Sequence, residues 1–506
     1  MINTNTQQMK ERLEALQIPI VYNVFPQDFQ LDVNGWSFPD DKDKPTIDVE
    51  LSLEEIAELE SKGFLGKINQ VSDRSYQIKR LRTLDIEIAP DEVIDEMNAL
   101  AEEKDASSLD LQLKFGRLYR KTCTQRCPHC FNQEDDFYVS KIISDQKLMR
   151  WAETNEVIQK AKKLGLESVK FLGIGEFFKN PRLFHILDEL QGEGIKAGIF
   201  TKGSALGDDL IARNCGYDGI NNAEDLVKRL AGYDNVSVLL GANSFNPQLQ
   251  DEMVGCGQDS QCVKDYTIAR NKALQLLVKY RFNDPSKGKR LALIAAPVTP
   301  QASDETVEMY EWGMRRNIPV ITIPTMVSGK GKNELEWLLN QFETDSNLVD
   351  RFDPKREMTR EKRYTEWLTD FYTDVYSKAI DMGITTIEKI NLDGISGYAG
   401  TAQCQQKQNG MYLRLPGTVQ ECPGRCVGAE ITGDIRKTGL LSTWIGSRNY
   451  DRKKDCNSLC AVKMKDLTGS GEKPCDCCEV YENVGSMPPE LGSRVIEKLN
   501  QKYGTK

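Results

Sequence analysis

Cysteine placement is the feature that most constrains this chain. Of its 14 cysteines, three stand together in KTCTQRCPHCFN as Cys123, Cys127 and Cys130, and eight lie between Cys404 and Cys478. The 506 residues include only two histidines. The polar first thirty residues lack an apolar export signal, so we expect a cytoplasmic, reducing location in which dense cysteines bind metal. Thiolate-rich sites favour iron–sulfur clusters or zinc.

Charge and hydropathy exclude several other classes. The net charge is −10, which argues against a general nucleic-acid binder, and no apolar run approaches the length of a membrane helix. Residues 1–113 carry 11 Lys and Arg against 24 Asp and Glu, a net charge of −13. This acidic front piece predicts either a surface that steers a basic partner or simply a solvated face.

Strand and helix patterns alternate through the middle of the chain. Amphipathic helices are predicted at Leu51–Lys62 and Asp91–Glu103, within a small α+β region. From Leu111 onward, six apolar segments alternate with helical ones, which predicts a parallel sheet, open or rolled into a partial barrel. The predicted strands are Leu111–Arg120, Ser168–Gly173, Lys196–Thr201, Asn235–Leu240, Arg290–Val298 and Pro319–Met326. No Gly-x-Gly-x-x-Gly follows the first of them, so a dinucleotide-binding fold is not indicated.

Four regions follow from these patterns. They are an acidic N-terminal domain at 1–110, a partial (β/α)6 parallel barrel at 111–335, a helical connector at 336–395 and a loop-rich, cysteine-ligated domain at 396–506. The last region is rich in Gly, Cys and turn residues, so we expect metal to hold it together.

The spacing Cys-x3-Cys-x2-Cys supplies three thiolate ligands. Three ligands suit a cubane cluster with one iron left open, and an open iron can bind and activate a small molecule. A closed zinc site would need a fourth ligand, and His129 sits between two of the cysteines, where its geometry for that role is poor.

Together these segments resemble the radical S-adenosylmethionine (radical SAM) enzymes over residues 111–335. The tri-cysteine motif is followed by Gly173-Ile174-Gly175-Glu176, similar to the family's Gly-Gly-Glu-Pro, and by Thr201-Lys202-Gly203, similar to its Thr-Asn-Gly turn. Asn243-Ser244 stands where the family binds ribose, and Pro297-Val298-Thr299-Pro300 ends the fifth strand. The missing proline after Glu176 and the lysine at position 202 depart from the usual pattern.

The resemblance implies a role for each of these residues. Gly173 and Gly175 would let the backbone approach the methionine moiety, and Glu176 would pair with its ammonium group, beside Thr201 of the following turn. Asn243 and Ser244 would bind ribose or carboxylate, or else cap a helix. His129 would stack on adenine or pack over the cluster, and Val298 would pack on adenine or belong to the core.

The second cysteine field resembles the SPASM and twitch domains of such enzymes. Cys404-x12-Gly417-x4-Cys422 matches their opening, and GMYLRLPGTVQEC predicts a hairpin with a Pro-Gly turn. Beyond it the spacing departs from the SPASM pattern. Eight cysteines could ligate two auxiliary clusters, or one cluster with spare thiols, or zinc. They are Cys404, Cys422, Cys426, Cys456, Cys460, Cys475, Cys477 and Cys478.

Isolated residues outside these fields have weaker interpretations. Cys215, Cys256 and Cys262 are either structural or hydrogen-atom donors to a product radical. Asp476 is either a general base or a solvated turn carboxylate.

The resemblance implies an enzyme that reductively cleaves S-adenosylmethionine on a [4Fe–4S] cluster to a 5′-deoxyadenosyl radical and abstracts hydrogen from a substrate. Enzymes of this organisation often modify ribosomally synthesised peptides, and the acidic domain would fit a module for a peptide leader. An electron donor and a small partner protein are further expected partners. The alternatives are a radical SAM dehydrogenase or mutase acting on a small molecule, and a non-catalytic metal-binding scaffold.

Overall fold

The computed structural model describes residues 45–103, 107–123, 125, 127–130, 133, 135–144, 146–255, 266–284, 290–323, 330–399, 406–423, 433–451 and 490–504. The strands in these ranges are β1 (Thr46–Glu50), β2 (Asn69–Gln70), β3 (Ser75–Lys79), β4 (Thr83–Ile86), β5 (Ser168–Phe171), β6 (Lys196–Thr201), β7 (Val236–Gly241), β8 (Leu291–Ala295), β9 (Val320–Thr322), β10 (Gly410–Leu413), β11 (Thr418–Gln420) and β12 (Gly433–Asp434).

The α-helices lie mostly between and after the strands. They are α1 (Leu53–Ser61), α2 (Asp91–Ala99), α3 (Ser108–Thr122), α4 (Asp135–Ile143), α5 (Trp151–Lys163), α6 (Leu183–Gly192), α7 (Ser204–Gly207), α8 (Asp209–Asn214), α9 (Ala223–Leu230), α10 (Pro247–Met253), α11 (Tyr266–Lys279), α12 (Ser303–Met314), α13 (Gly331–Thr344), α14 (Ser346–Phe352), α15 (Arg360–Asp381), α16 (Ile387–Asp393), α17 (Gln406–Asn409), α18 (Ile435–Thr438), α19 (Leu440–Gly446), α20 (Arg448–Asp451) and α21 (Leu491–Tyr503). Among the helices described, none has the length and apolar character needed to cross a bilayer.

A small antiparallel sheet precedes the main one. Its order is β1-β3-β2, and α1 begins at Ser52, whose side chain and that of Glu55 form a reciprocal capping box. The helices predicted at Leu51–Lys62 and Asp91–Glu103 are confirmed with slightly shorter α-helical bounds.

A nine-stranded sheet of order β12-β11-β10-β4-β5-β6-β7-β8-β9 forms the centre of the molecule. The seven strands from β10 to β9 in this order are all parallel, while β11 and β12 are antiparallel to their neighbours. Helices between successive parallel strands cover one face, as crossover connections require. The mixed α/β class and the partial parallel barrel are therefore confirmed.

The strand predicted at Leu111–Arg120 is wrong, because that segment lies in helix α3. Leu111, Phe115 and Tyr119 recur every four residues and are buried, which is the periodicity of one helix face, and the Ser107 side chain caps the first turn. The strand that opens the parallel sheet is β4, whose four residues are all buried. The other five predicted strands are confirmed: three have shorter bounds, one is shifted by one residue to Val236–Gly241, and Lys196–Thr201 is unchanged.

The predicted C-terminal hairpin is present and belongs to the central sheet. β10 and β11 pair antiparallel across a turn in which Gly417 has a φ of +84°, a conformation that favours glycine. β10 also pairs in parallel with β4, so Gly410 lies opposite Thr83. The hairpin thus contributes Met411, Leu413 and Val419 to the main core.

Candidate active site

The loop after α3 carries the tri-cysteine motif. Cys123 takes an extended conformation at the C-terminal cap of α3, and Cys127 packs with Val254 and Tyr266, with Cys130 beside them. The Tyr119 hydroxyl lies 3.8 Å from Cys130 Sγ. The motif therefore leaves a helix and enters a largely buried loop, where its three thiols can share one bound group.

Burial affects the protonation of Cys123 and Cys127. It raises the pKa of Cys123, with Glu176 and the other two cysteines adding to the effect, and it raises the pKa of Cys127 against the opposing charge of Lys202. Thiols in this environment stay protonated unless a cation stabilises the thiolate. A metal centre supplies that stabilisation and deprotonates its thiol ligands.

The turn after β5 lies directly against the cysteine loop. Gly173 and Gly175 have φ values of +66° and +94°, and a Cβ atom on Gly175 would lie 2.4 Å from Thr122 Oγ1. The Glu176 amide donates to the Thr122 carbonyl at 2.8 Å. Glycine at position 175 thus allows the second predicted motif to contact the residue preceding Cys123.

Glu176 is held by the turn after β6. The Thr201 hydroxyl donates to Glu176 Oε2 at 2.6 Å, and the Lys202 amide donates to Glu176 Oε1 at 2.8 Å. Burial raises the pKa of Glu176, although these donors and the Lys202 charge partly offset the effect. A carboxylate accepts about four hydrogen bonds, so this one retains capacity for a further donor.

The loop after β7 is held by buried polar side chains. Gln250 Oε1 accepts from the amides of Asn243 and Ser244 at 2.8 and 3.1 Å. The Ser244 hydroxyl donates to Glu305, which also accepts from the Phe245 amide at 2.9 Å. Ser244 thus has an intramolecular partner, whereas Asn243 Oδ1 is buried without a hydrogen bond in the described structure.

His129 and Val298 differ in what they offer a ligand. His129 Nε2 is buried and has no hydrogen-bond partner among the described groups. Burial and the nearby Lys202 charge lower the pKa of His129, so its ring is neutral at pH 7. Val298 is 1% exposed and packs in the main core, and its amide donates to Ile323 O at 3.0 Å.

The structure adds groups that sequence reasoning did not assign to the site. Lys202 is the charge that acts on both Cys127 and His129, and the Lys330 amide donates to the Cys130 carbonyl at 2.9 Å. Tyr119 approaches Cys130 from one turn before the motif. Tyr119 lies four residues after Phe115 on the buried face of α3, and this helical spacing could have predicted its position.

The second cysteine field is described at Cys422, which is buried after β11. Cys404, Cys426, Cys456, Cys460, Cys475, Cys477 and Cys478 lie outside the described residues, as do Cys256, Cys262 and Asp476. Cys215 donates to the Ile211 carbonyl at 3.2 Å, and burial raises its pKa to about 11. Such a thiol has the character of a structural residue.

A buried ionic network joins the hairpin to the cysteine region. Glu87, just after β4, accepts from Tyr138 Oη at 2.7 Å, from Arg414 Nε at 3.2 Å, from the Leu415 amide at 3.0 Å and from Tyr412 Oη. Arg414 also lies 3.7 Å from the centre of the Phe137 ring. The network therefore links β4, β10 and helix α4, which follows Cys130.

The donor set fits an iron–sulfur cluster and its ligand. Within the described ranges, no three Cys, His, Asp or Glu side chains converge closely enough for a single metal ion. Three thiols on one loop, one buried and two half-buried, suit the larger span of a cubane. The unpaired His129 Nε2 and Asn243 Oδ1 add polar atoms for a cofactor.

The family model agrees with this site. Residues 120–266 match the family model described as the Radical SAM superfamily, so the chain carries a radical SAM domain. Such a domain is catalytic and implies a [4Fe–4S] cluster and S-adenosylmethionine. Among curated proteins, none gives a significant match.

Similar solved structures include Streptococcus suis SuiB. SuiB bound to the precursor peptide SuiA is 14% identical, with a TM-score of 0.41, and the match covers 78% of this chain and 69% of that one. SuiB bound to S-adenosylmethionine is 16% identical, with a TM-score of 0.40 and coverage of 84% and 75%.

Proposed function

We propose that Cys123, Cys127 and Cys130 hold a [4Fe–4S] cluster whose open iron binds S-adenosylmethionine, and that the chain abstracts hydrogen from a ribosomally made peptide or protein. The observation that carries the proposal is the contact between two motifs. The Glu176 amide bonds to Thr122, the neighbour of Cys123, and only glycine fits at position 175 between them.

When bound, the reduced cluster supplies the electron that splits S-adenosylmethionine into methionine and a 5′-deoxyadenosyl radical. The residues of this chain position and shield the reactants. Glu176 would accept a hydrogen bond from the methionine ammonium while Thr201 holds the Glu176 carboxylate in place, and Gly173 would leave room for the backbone to approach. The His129 ring would stack on adenine, and the unpaired Asn243 Oδ1 would accept a hydrogen bond from a ribose hydroxyl.

We assign the C-terminal cysteines to two auxiliary clusters, which accept an electron from the substrate radical or bind the substrate. Support comes from the hairpin that precedes Cys422. Its pairing with β4 and the Glu87–Arg414 network fix one cysteine of this field against the central sheet. A single cluster or zinc is the competing assignment.

The peptide substrate is supported by the small N-terminal sheet. Strand β1 pairs with β3 on one side and with no second strand in the described ranges. An edge strand can bind an extended peptide through backbone hydrogen bonds. We therefore assign leader recognition to this acidic module. Because β4 belongs to the central sheet, deleting residues 1–110 would also remove a core strand.

The test begins with anaerobic reconstitution of the full chain with iron and sulfide. Roughly twelve irons per chain supports three cubane clusters, whereas about four leaves the C-terminal cysteines to zinc or thiol chemistry. Peptides encoded beside the gene are then incubated with the enzyme, dithionite and S-adenosylmethionine. We expect a mass change or, in deuterated water, solvent deuterium incorporation in one of them. Modification of small molecules but of no peptide would contradict the peptide assignment.

A further inference from the structure

A buried tyrosine hydroxyl is directed at one cysteine of the motif. Tyr119 is 5% exposed, and its hydroxyl oxygen lies 3.8 Å from Cys130 Sγ. Among the described residues, this hydroxyl has no other hydrogen-bond partner. A buried tyrosine hydroxyl usually has a partner, so the Cys130 sulfur is the partner that the fold provides for Tyr119.

Helix α3 fixes the position of this hydroxyl. Tyr119 lies one turn after Phe115 on the buried face of α3, and the Phe115 ring stacks on Tyr138 with ring centres 5.2 Å apart. The Tyr119 carbonyl accepts from the Thr122 hydroxyl at 2.8 Å and from the Cys123 amide at 3.2 Å. The backbone of Tyr119 thus anchors the first cysteine of the motif, while its side chain reaches the third.

The backbone of Cys130 is held by other groups. Its amide donates to the Cys127 carbonyl at 3.2 Å, and its carbonyl accepts from the Lys330 amide at 2.9 Å. Each of the two residues in the O···S contact is therefore held by backbone hydrogen bonds of its own. The contact between Tyr119 and Cys130 follows from the fold of both segments.

Loss of the thiol proton affects two sulfur contacts in this loop differently. Cys123 Sγ donates to the Gln125 carbonyl at 3.8 Å. A cysteine binds metal as a thiolate, which has no proton to donate, so this contact cannot remain a hydrogen bond. The Tyr119 hydroxyl can still donate to Cys130. Because a thiol is a weak acceptor and a charged acceptor is a strong one, the Tyr119 contact suits a metal-bound Cys130 best.

A hydrogen bond to a ligand sulfur has a defined effect on an iron–sulfur cluster. Reduction adds negative charge to the cluster and its sulfur ligands, so a nearby donor stabilises the reduced form more than the oxidised form. Hydrogen bonds to the sulfurs are accordingly among the features that set cluster potentials. A donor at one cysteine therefore raises the reduction potential.

We propose that the Tyr119 hydroxyl donates a hydrogen bond to the Cys130 thiolate when the cluster is bound, and that this bond raises the reduction potential of the cluster. Tyr119 thereby makes the cluster easier to reduce by an electron donor. The inference rests on the proposed function in one respect, namely that Cys123, Cys127 and Cys130 hold a [4Fe–4S] cluster.

The test compares Tyr119→Phe with the wild type after anaerobic reconstitution of the full chain. A redox titration is followed by electron paramagnetic resonance, using the signal that changes when S-adenosylmethionine is added, because that change distinguishes this cluster from an auxiliary one. For Tyr119→Phe we expect the equilibrium constant for reduction to fall about tenfold, which lowers the potential of a one-electron couple by about 59 mV. An unchanged potential would overturn the proposal.

The matched control is Tyr266→Phe. Tyr266 is buried and packs with Cys127 and Cys130, but its hydroxyl donates to the Lys202 carbonyl at 2.7 Å. We expect the equilibrium constant for reduction to stay within about twofold of the wild-type value, because no hydrogen bond to a ligand sulfur is lost. Equal shifts in the two variants would assign the effect to the loss of any buried hydroxyl near the cysteines, and would overturn the proposal.

A second substitution keeps the proposal testable if Tyr119→Phe does not retain the cluster. Tyr119→3-fluorotyrosine nearly preserves the shape of the side chain and makes its hydroxyl more acidic, hence a stronger donor. We expect the potential to rise above the wild-type value, which is the direction opposite to that of Tyr119→Phe. A potential at or below the wild-type value would contradict the hydrogen bond.

Failure of the proposed function gives a different result. If changing Cys123, Cys127 and Cys130 to serine removes no iron, these residues hold no cluster, and the proposed function fails together with this inference. If the wild type forms 5′-deoxyadenosine but Tyr119→Phe leaves the potential unchanged, this inference alone fails. If Tyr119→Phe lowers the potential but the wild type forms no 5′-deoxyadenosine, the radical chemistry fails and the hydrogen bond stands.

Discussion

Two buried glutamates at neighbouring strand ends make the clearest contrast in this molecule. Glu87 accepts four hydrogen bonds, three at Oε1 from Tyr138, Tyr412 and Arg414 and one at Oε2 from the Leu415 amide, which equals the roughly four that a carboxylate accepts. Glu176 accepts from the Thr201 hydroxyl and the Lys202 amide alone among the described groups. The first is saturated by its own protein, whereas the second can still accept from a ligand.

The two glutamates are both buried at strand ends, but they differ in their hydrogen-bond partners. Glu87 and Arg414 compensate each other inside the protein and connect the C-terminal hairpin to β4 and α4. Glu176 has no arginine partner among the described residues and lies against the cysteine loop. Both carboxylates are buried, so burial does not distinguish them, and our assignment of Glu176 to ligand binding rests on its unused acceptor positions.

The largest expected loss of stability follows from changing Glu87. Glu87→Gln leaves the Arg414 guanidinium buried without its counter-charge, which should cost about 3–5 kcal/mol of unfolding free energy. Urea denaturation of the variant and the wild type measures this difference in unfolding free energy. The matched control is Glu50→Gln at the exposed pair with Arg74, which should change stability by less than about 1 kcal/mol. Equal losses of unfolding free energy in Glu87→Gln and Glu50→Gln would show that the buried Glu87–Arg414 pair is no more important for stability than an exposed pair.

The next largest loss of stability should come from disturbing the close contact between Gly175 and Thr122. Gly175→Ala combines a positive φ with a Cβ atom 2.4 Å from Thr122 Oγ1, so we expect a loss of about 2–4 kcal/mol. Gly194→Ala has a φ of +69° but no atom within 4 Å, so it should cost about 1 kcal/mol from backbone strain alone. Thermal unfolding of both variants measures the difference, and similar melting temperatures would show that Thr122 does not constrain this turn.

The smallest effect on stability should come from changing Glu176, the carboxylate that has room for a ligand. Glu176→Gln keeps the shape of the side chain and removes its charge. Because burial raises the pKa of Glu176, the charged form is not favoured there, and the free energy of unfolding should change by less than about 1 kcal/mol. Affinity for S-adenosylmethionine should fall roughly tenfold, because a charged hydrogen bond is lost. Equilibrium dialysis on reconstituted protein measures it. Unchanged affinity would make Glu176 a structural residue like Glu87.

Local patterns in the sequence predicted much of this site. The cysteine spacing, the glycines of the second motif and Glu176 are contiguous signals, and the strand at Lys196–Thr201 has the predicted bounds. The prediction was wrong at Leu111–Arg120, where a four-residue apolar spacing was read as a strand although it is typical of a helix. The predicted boundary at residue 110 therefore excludes β4 from the barrel, although β4 belongs to the parallel sheet.

Long-range pairings could not be predicted in this way. Glu87 and Arg414 are 327 positions apart, and β10 pairs with β4 across a similar separation. Nothing local marks Arg414 as the partner of an acidic residue after an early strand.

The central claim is that Cys123, Cys127 and Cys130 support cleavage of S-adenosylmethionine. The most direct measurement is 5′-deoxyadenosine formation after dithionite reduction, in reconstituted wild type and in a variant with all three cysteines changed to serine. We predict that wild type forms 5′-deoxyadenosine and that the variant forms none while retaining the iron held by its C-terminal cysteines. Formation by the variant, or zinc in place of iron with no cleavage by wild type, would contradict the account.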